Sequence, residues 1–411
     1  MNSHDPYSAL RLRNYRFYFI GNFIAYFGVQ MQTTAVGWDI YTRTDSKLAL
    51  GLAGLAQFFP VIVLFLLGGH VADRFNRKWV VACAVSLIAI ASMGLALISY
   101  YQLDTRLIFG CLFLIGVARA FQQPARAALL PLIVPSEEFN NAVTWNSTGF
   151  HMASVLGPAA GGFFIKWFHG PTWVYIFDVV AAATFVVLLT MLRLYKKQVT
   201  QRNLTLQELA AGFQFIRRQQ VVLGALLLDL FAVLLGGAVT LLPVFAEDIL
   251  KTGPEGLGWL RAAPAAGALM MAIIIAHRPP LRRTGIVLLW AVIGFGAATI
   301  VFGLSKIMWL SLLMLFLTGA FDNISVVIRH TLVQTLTPDE LRGRVSAVNS
   351  VFIGASNELG GFESGVVAHW FGPVVSVVSG GIGTIVVVAL TALSLPTLRK
   401  FDRLDGGPQD K

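Results

Sequence analysis

Gly157-Pro158-Ala159-Ala160-Gly161-Gly162-Phe163-Phe164-Ile165-Lys166-Trp167-Phe168 has a counterpart 203 residues further on (360 − 157), where Gly360, Gly365 and Trp370-Phe371 fall in the same places. Working outward, Gly116–Phe168 lies on Gly319–Phe371 without a gap. Arg126 meets Arg329, Pro135 meets Pro338, Glu137 meets Glu340, and Asn146-Ser147 meets Asn349-Ser350. Apolar helices coincide by chance at Leu and Val, but Arg, Pro, Glu, Asn, Gly and Trp are residues that a bilayer disfavours. A duplicated unit is therefore the reading, and repeated halves with a substrate site between them near the midplane are a hallmark of secondary transporters.

Composition agrees with a membrane chain. Of 411 residues, 56% are hydrophobic and 13% charged, against roughly 25% charged in a soluble domain. Apolar runs near the ~20 residues that cross a hydrocarbon core recur at 16–40, 48–72, 79–100, 106–132, 141–166, 172–194, 221–246, 256–276, 285–304, 308–332, 345–370 and 373–395. The expected fold is an all-α integral membrane protein with twelve transmembrane helices in two pseudo-symmetric six-helix bundles. The N-terminal bundle would span 1–195, a cytoplasmic linker 196–220, and the C-terminal bundle with a short tail 221–411. Within the linker, Leu206, Leu209, Phe213 and Ile216 share a helical face. That pattern suits either a short helix on the inner membrane surface or a plain linker helix.

The net charge of +10 is a topology signal. Alternate connections carry Arg74, Arg77, Lys78, Lys196, Lys197, Arg202, Arg278, Arg282, Arg342, Arg344, Lys400 and Arg403, whereas the others hold only Arg43, Lys47, Arg106, Lys166, Lys251 and Lys306. By the positive-inside rule both termini are expected in the cytoplasm, and the basic balance has no nucleic-acid meaning. Met1–Tyr15 lacks the apolar core of a cleavable signal peptide. Cys83 and Cys111 both lie in apolar runs without metal-ligand spacing, so no metal and no cofactor are expected.

Ionisable groups inside the spans carry the chemistry, because each is expensive there unless it faces protein or water. Arg119 lies about 20 Å from the outer end of the fourth helix and Arg126 about 30 Å, two turns further along the same face. The acids sit in the second half: Asp229, Asp322, Glu358 and Glu363. Counted from the helix ends, Asp322 and Glu358 lie at a depth similar to Arg119 and His151. A carboxylate alternating between an ion pair and a protonated form is the physical basis of a proton-coupled switch. His151 titrates in the useful range, although a lone helical His also suits a hydrogen-bonded interior. Asp39 and Asp178 lie nearer the outer surface, where a structural role is expected. Asn22, Gln30, Gln57, Asn146 and Asn349, with Trp38, Phe58 and Trp145, offer amide and aromatic surface for a polar, ring-bearing solute.

Three strings carry a resemblance. Gly69-His70-Val71-Ala72-Asp73-Arg74-Phe75-Asn76-Arg77-Lys78 is similar to the signature loop between the second and third helices of the major facilitator superfamily. The Gly157–Gly162 string resembles the helix-5 motif of that superfamily's antiporters, and as bare chemistry it is also a close-packing motif. Asp229-Leu230-Phe231-Ala232, Leu242-Pro243-Val244-Phe245-Ala246 and Asn357-Glu358-Leu359-Gly360-Gly361 look like its drug and siderophore exporter branch. The resemblance covers about residues 12–395. Gly69 by itself would allow close helix approach, and the resemblance implies a conformational lock built from Gly69, Asp73, Arg74, Arg77, Lys78 and Arg126, and proton coupling through Arg119. It further implies an antiporter signature at Gly157, Pro158, Gly161 and Gly162.

The expectation is a secondary active transporter in a bacterial inner membrane, a monomer and not an enzyme. It would exchange protons for a small amphipathic molecule such as a siderophore or a drug. Uptake of an organic anion or ferric siderophore, and a receptor that binds without translocating, stay open as alternatives.

Overall fold

The computed structural model describes residues 5–195, 206–279, 283–399 and 401. Every expected apolar run is occupied by helix. We label these α1 (Arg13–Thr44), α2 (Lys47–Arg74), α3 (Arg77–Tyr100), α4 (Arg106–Ile133), α5 (Phe139–Trp167), α6 (Thr172–Thr190), α7 (Gln220–Leu235), α8 (Gly253–Ala276), α9 (Thr284–Leu304), α10 (Met308–Leu336), α11 (Asp339–Phe371) and α12 (Pro373–Ser394). Among the described residues nine helical segments are long and apolar enough to cross a membrane, α7 counting together with the turns that follow it as Gln220–Ile249. The helices outside that set are α1, α5 and α11, which have the length, at 32, 29 and 33 residues, but are more polar.

Two boundaries differ from expectation by more than four residues. Helix α11 begins at Asp339 rather than 345, because Pro338 precedes it and Asp339 and Glu340 fill its first turn, where acidic side chains suit the positive end of the helix dipole. The run 221–246 is not one α-helix. It stops at Leu235 before Gly236-Gly237, continues as a 3-10 turn at Ala238–Leu241 and a short α-turn at Leu242–Val244, and ends in a π-turn at Phe245–Ile249. Two glycines favour leaving the helix and Pro243 has no N–H to continue it, so the break is local in origin.

The chain forms two compact units: residues 1–45, 56–203 and 253–258, and residues 46–55, 204–252 and 259–411. In the first, α1 packs on α5 and α6, and α3 on α4 and α6, around Tyr15, Tyr18, Val81, Leu129, Ile133 and Phe185. In the second, α7 packs on α11 and α12, and α9 on α10 and α12, around Leu228, Leu288, Ile328 and Leu332. Pairing by pairing, this is the same pattern displaced by six helices, which carries the repeat beyond the residues in which it is visible as sequence.

Close contacts obey the repeat as well. A Cβ on Gly116 would run into the Gln57 carbonyl of α2, and one on Gly319 into the Pro264 carbonyl of α8. Only glycine lets these backbones approach so closely.

The connecting helix spans Leu206–Arg218. Its apolar residues serve the second unit: Ile216, 1% exposed, joins Val222, Leu226, Val333 and Val345, and Gly212 lies on the Arg344 carbonyl of α11. Lys196, Lys197, Arg202, Arg282, Lys400 and Arg403, invoked for topology, lie outside the described residues, as do the side chains of Leu206 and Leu209.

Candidate functional site

In the first unit the amides expected to bind substrate are engaged by side chains of neighbouring helices. Asn22 Nδ2 donates to Asn146 Oδ1 at 2.8 Å, and Gln30 Nε2 to Ser154 Oγ at 3.0 Å, so α1 and α5 are joined by two polar rungs. The Gln30–Ser154 rung lies beside the glycines of the helix-5 string. Gly157 faces the Gln30 side chain and Gly161 the Met31 backbone, while a Cβ on Gly162 would strike the Pro254 carbonyl. The string thus forms a contact surface on α1 and on the start of α8, with Pro158 lending its carbonyl to the close approach of Gly258.

Arg119 on α4 donates to Gln57 Oε1 of α2 at 2.6 Å, bringing two predicted residues together. Trp145 is tied into the N-terminus: its indole Nε1 donates to the Pro6 carbonyl at 2.9 Å and its ring meets Tyr7 and Phe19. It also borders an open recess of about 330 Å3 with Asn140, Asn141, Thr144 and Thr148. Trp38, Phe58 and His151 are half-buried, with the His151 ring edge-on to Phe150.

The loop after α2 is held by backbone acceptors. Arg77, 4% exposed, donates to the carbonyls of Ala72 and Ala128 and pairs with Asp73 at 3.5 Å. Lys78 Nζ donates to the carbonyls of Thr190 and Leu192 at 2.9 Å, and Arg74 is exposed. The close approach expected at Gly69 is made by Gly68, whose Cβ would meet the Ala120 carbonyl, whereas nothing lies within 4 Å of a Cβ on Gly69. One residue turns the helix by about 100°, so the motif's glycine points off the contact. Arg126 sits 3.8 Å from the ring centre of Tyr26, with Phe185 at 5.9 Å.

In the second unit Arg329, 2% exposed, forms an ion pair with Asp229, 6% exposed. Arg329 is the repeat counterpart of Arg126, and Asp229 stands 203 residues after Tyr26 (229 − 26). The same inter-helix position thus holds a guanidinium over a ring in one unit and against a carboxylate in the other. By the same displacement Arg119 corresponds to Asp322 (322 − 119), so one site on α4 and α10 carries opposite charges.

Asp322 lines two cavities. A pocket of about 180 Å3 lies beside the broken segment after α7, walled by Thr240, Thr299, Thr318, Asn357, Phe295 and Phe302 as well as Asp322. On the other side a space of about 10 Å3, the size of one water, is bordered by Asp322, Asp229 and Ser325. Non-helical backbone at membrane depth is tolerated where it is buried in protein or lines a cavity, and the break after α7 does so here.

Glu358 is half-buried on α11, its Oε2 2.5 Å from where a Cβ on Gly54 would stand. Asn349 is 3% exposed, and Glu363 is half-buried one helix turn beyond Gly360. Sequence reasoning passed over Thr240, Thr299 and Thr318, for which single threonines in apolar runs give no signal. It also passed over Arg261, whose Nε is buried without a hydrogen-bond partner and whose signal was plain: an arginine eight residues inside an apolar helix.

Helices of this length, two units with one pairing pattern and midspan ionisable groups define a multi-pass membrane transporter of the major facilitator type. Residues 4–411 match the model of the transmembrane secretion effector family, and the chain belongs to that family. It is 27% identical over 393 residues to the enterobactin exporter EntS of Shigella boydii serotype 18 and to that of Escherichia coli O81, in each case over 94% of this chain and 93% of the relative. Among solved structures, a POT family transporter in complex with 5-aminolevulinic acid superimposes with a TM-score of 0.73 at 12% identity, covering 94% of this chain and 97% of that one. A bacterial homologue of the iron transporter ferroportin in an inward-facing state gives 0.71 at 14% identity, covering 95% and 99%. These two likenesses are of fold. The similar proteins are transporters and not enzymes.

Proposed function

We propose that the protein is a proton-coupled exporter that moves a small amphipathic organic molecule outward in exchange for protons. The observation that carries this is Asp322: a carboxylate inside an apolar helix, on the wall of a hydroxyl- and phenyl-lined pocket on one side and a water-sized space on the other. A charge at that depth costs several kcal/mol unless it is met by a counter-charge or a proton. Binding of a proton and of a solute's donor groups at such a carboxylate are therefore linked. The enterobactin-exporter relatives make a siderophore the first cargo to test.

In this reading all twelve long helices cross a bacterial inner membrane with both termini in the cytoplasm, 1–195 and 221–411 act as the two halves, and the molecule works as a monomer by alternating access. The pairs Asn22–Asn146 and Gln30–Ser154, with Trp38, Gln57, Phe58, Trp145 and Asn349, contribute amide and ring surface to the solute path. Arg119, Asp322, Glu358, Asp229 and His151 form the titratable set.

The test is transport in proteoliposomes with the pH followed inside and enterobactin, then common drugs, as cargo. Proton movement opposite to cargo, with export accelerating when the outer side is acidified, is the expected result. Asp322→Asn and Glu358→Gln should each lower the gradient-driven rate by about tenfold or more, about 1.4 kcal/mol, with cargo binding retained. Cargo and protons moving in the same direction would make the protein an importer. Full gradient-driven rates in both variants would remove these carboxylates from the coupling.

A further inference from the structure

The strongest unclaimed group is a carboxylate in the first unit. Asp178 on α6 is 1% exposed. Its Oδ2 accepts from Ser92 Oγ of α3 at 2.7 Å; the same hydroxyl lies 2.8 Å from the Ile88 carbonyl and accepts from Gln32 Nε2 of α1 at 2.6 Å, so its one proton is shared between two acceptors. Oδ1 has no hydrogen-bond partner although it is fully enclosed. The enclosure is tight: a Cβ on Gly28 of α1 would stand 2.6 Å from that oxygen. Asp39 on α1 is already held by Arg43 at 2.6 Å and by the Tyr175 hydroxyl at 3.1 Å, and the cation of α4 in the same unit, Arg119, donates to Gln57.

A buried carboxylate with one hydrogen bond and one bare oxygen is poorly served as an anion. It is served well in two ways: by a proton, or by a guanidinium brought against Oδ1. Arg119 rests on Gln57 here. We propose that Asp178 is a proton-carrying carboxylate of the first unit, protonated while Arg119 rests on Gln57 and ionised when Arg119 turns to it. Ser92 and Gln32 position the carboxyl in both states; as the guanidinium arrives the proton passes from Oδ1 to water, which carries away the positive charge that the Arg119–Asp178 pair loses. A structural role for Asp178, expected from its place near the outer surface, would instead need both oxygens satisfied in one state. The inference rests on the proton-coupled reading for its consequence in transport, and its chemistry can be tested without transport.

The experiment is infrared titration of the purified full-length protein, following the protonated-carboxyl absorption with pH, for wild type, Asp178→Asn, Arg119→Gln and Asp322→Asn. The expected result is a band component that titrates in wild type and in Asp322→Asn and is missing in Asp178→Asn. In Arg119→Gln its pH midpoint should move by about one unit or more. Ser92→Ala, which keeps the carboxyl, checks that the assignment survives if Asp178→Asn folds poorly: the same component should remain with a displaced midpoint. An unchanged band in Asp178→Asn, or an unmoved midpoint in Arg119→Gln, overturns the proposal. In proteoliposomes, Asp178→Asn should lose acceleration by a pH gradient. If wild-type transport ignores the gradient while the infrared pattern holds, the proton-coupled reading fails and the Asp178 assignment stands.

Discussion

Arg126 and Arg329 show how one position is solved twice. Over Tyr26 the guanidinium keeps its charge against a ring face, an interaction of about 0.5–2 kcal/mol depending on desolvation; against Asp229 it forms a buried ion pair. Removing one member of a buried pair leaves a stranded charge and costs about 3–5 kcal/mol, whereas replacing both by apolar residues of similar volume is often neutral. Asp229→Ala should therefore lower the unfolding temperature in detergent clearly, and Asp229→Leu combined with Arg329→Met should restore most of the loss. Equal destabilisation by the single and double variants would show that the pair does more than hold α7 to α10. The sequence displayed each of these residues as an ionisable group in a span. It could not say that Arg329 and Asp229 meet, because the two positions are joined by a hundred residues whose path no local pattern records.

At the scale of elements, the run after α7 is the informative departure. Hydropathy sees a continuous apolar segment and is blind to the difference between α, 3-10 and π turns. The glycine pair was present in the sequence as a breaker, yet an isolated breaker in an apolar run is tolerated in membrane helices when neighbours satisfy the freed groups. The neighbour is decisive here: a Cβ on Gly237 would stand 2.7 Å from the Gly360 carbonyl oxygen and 2.9 Å from Ser364 Oγ, forcing α11 backbone to move. Gly237→Ala should destabilise by about 1–3 kcal/mol and reduce cargo affinity, read as a lower unfolding midpoint and a raised dissociation constant. Gly69→Ala, in open space, should leave both unchanged. The helix-5 string gives a second lesson at this scale, since its glycines read equally as signature and as packing surface, and the structure shows contacts on α1 for Gly157 and Gly161.

For the whole molecule, charge asymmetry and duplication are the governing facts. Basic loops alternate with poorly charged ones, which predicts that a single cysteine placed at Asn76 in a cysteine-free background reacts only from the cytoplasmic side. One at Gly170 should react only from the outside. Labelling in intact cells with a membrane-impermeant thiol reagent checks this, and reversed accessibility would invert the topology. Within each unit the recurrence of the same helix pairings follows from reusing one packing solution, with glycines at Gly116 and Gly319 permitting the same close crossing. The transmembrane secretion effector family match over residues 4–411 is the whole-chain expression of that architecture.

By itself the sequence determined what periodic and cumulative signals can carry. Long apolar runs fix where helices form because a bilayer leaves the backbone no other partner. The alternation of Lys and Arg biases orientation, and the displacement of 203 residues exposes the duplication. Only the tertiary structure decided which side chains meet: Gln57 for Arg119, Arg329 for Asp229, Ser92 for Asp178, and the threonine-lined pocket beside Asp322. The physical reason is that such meetings depend on helix rotation and crossing. A rotation of about 100° per residue separates Gly68 in contact from Gly69 in open space, and that angle is set by packing summed over the whole unit rather than by any stretch of sequence within it.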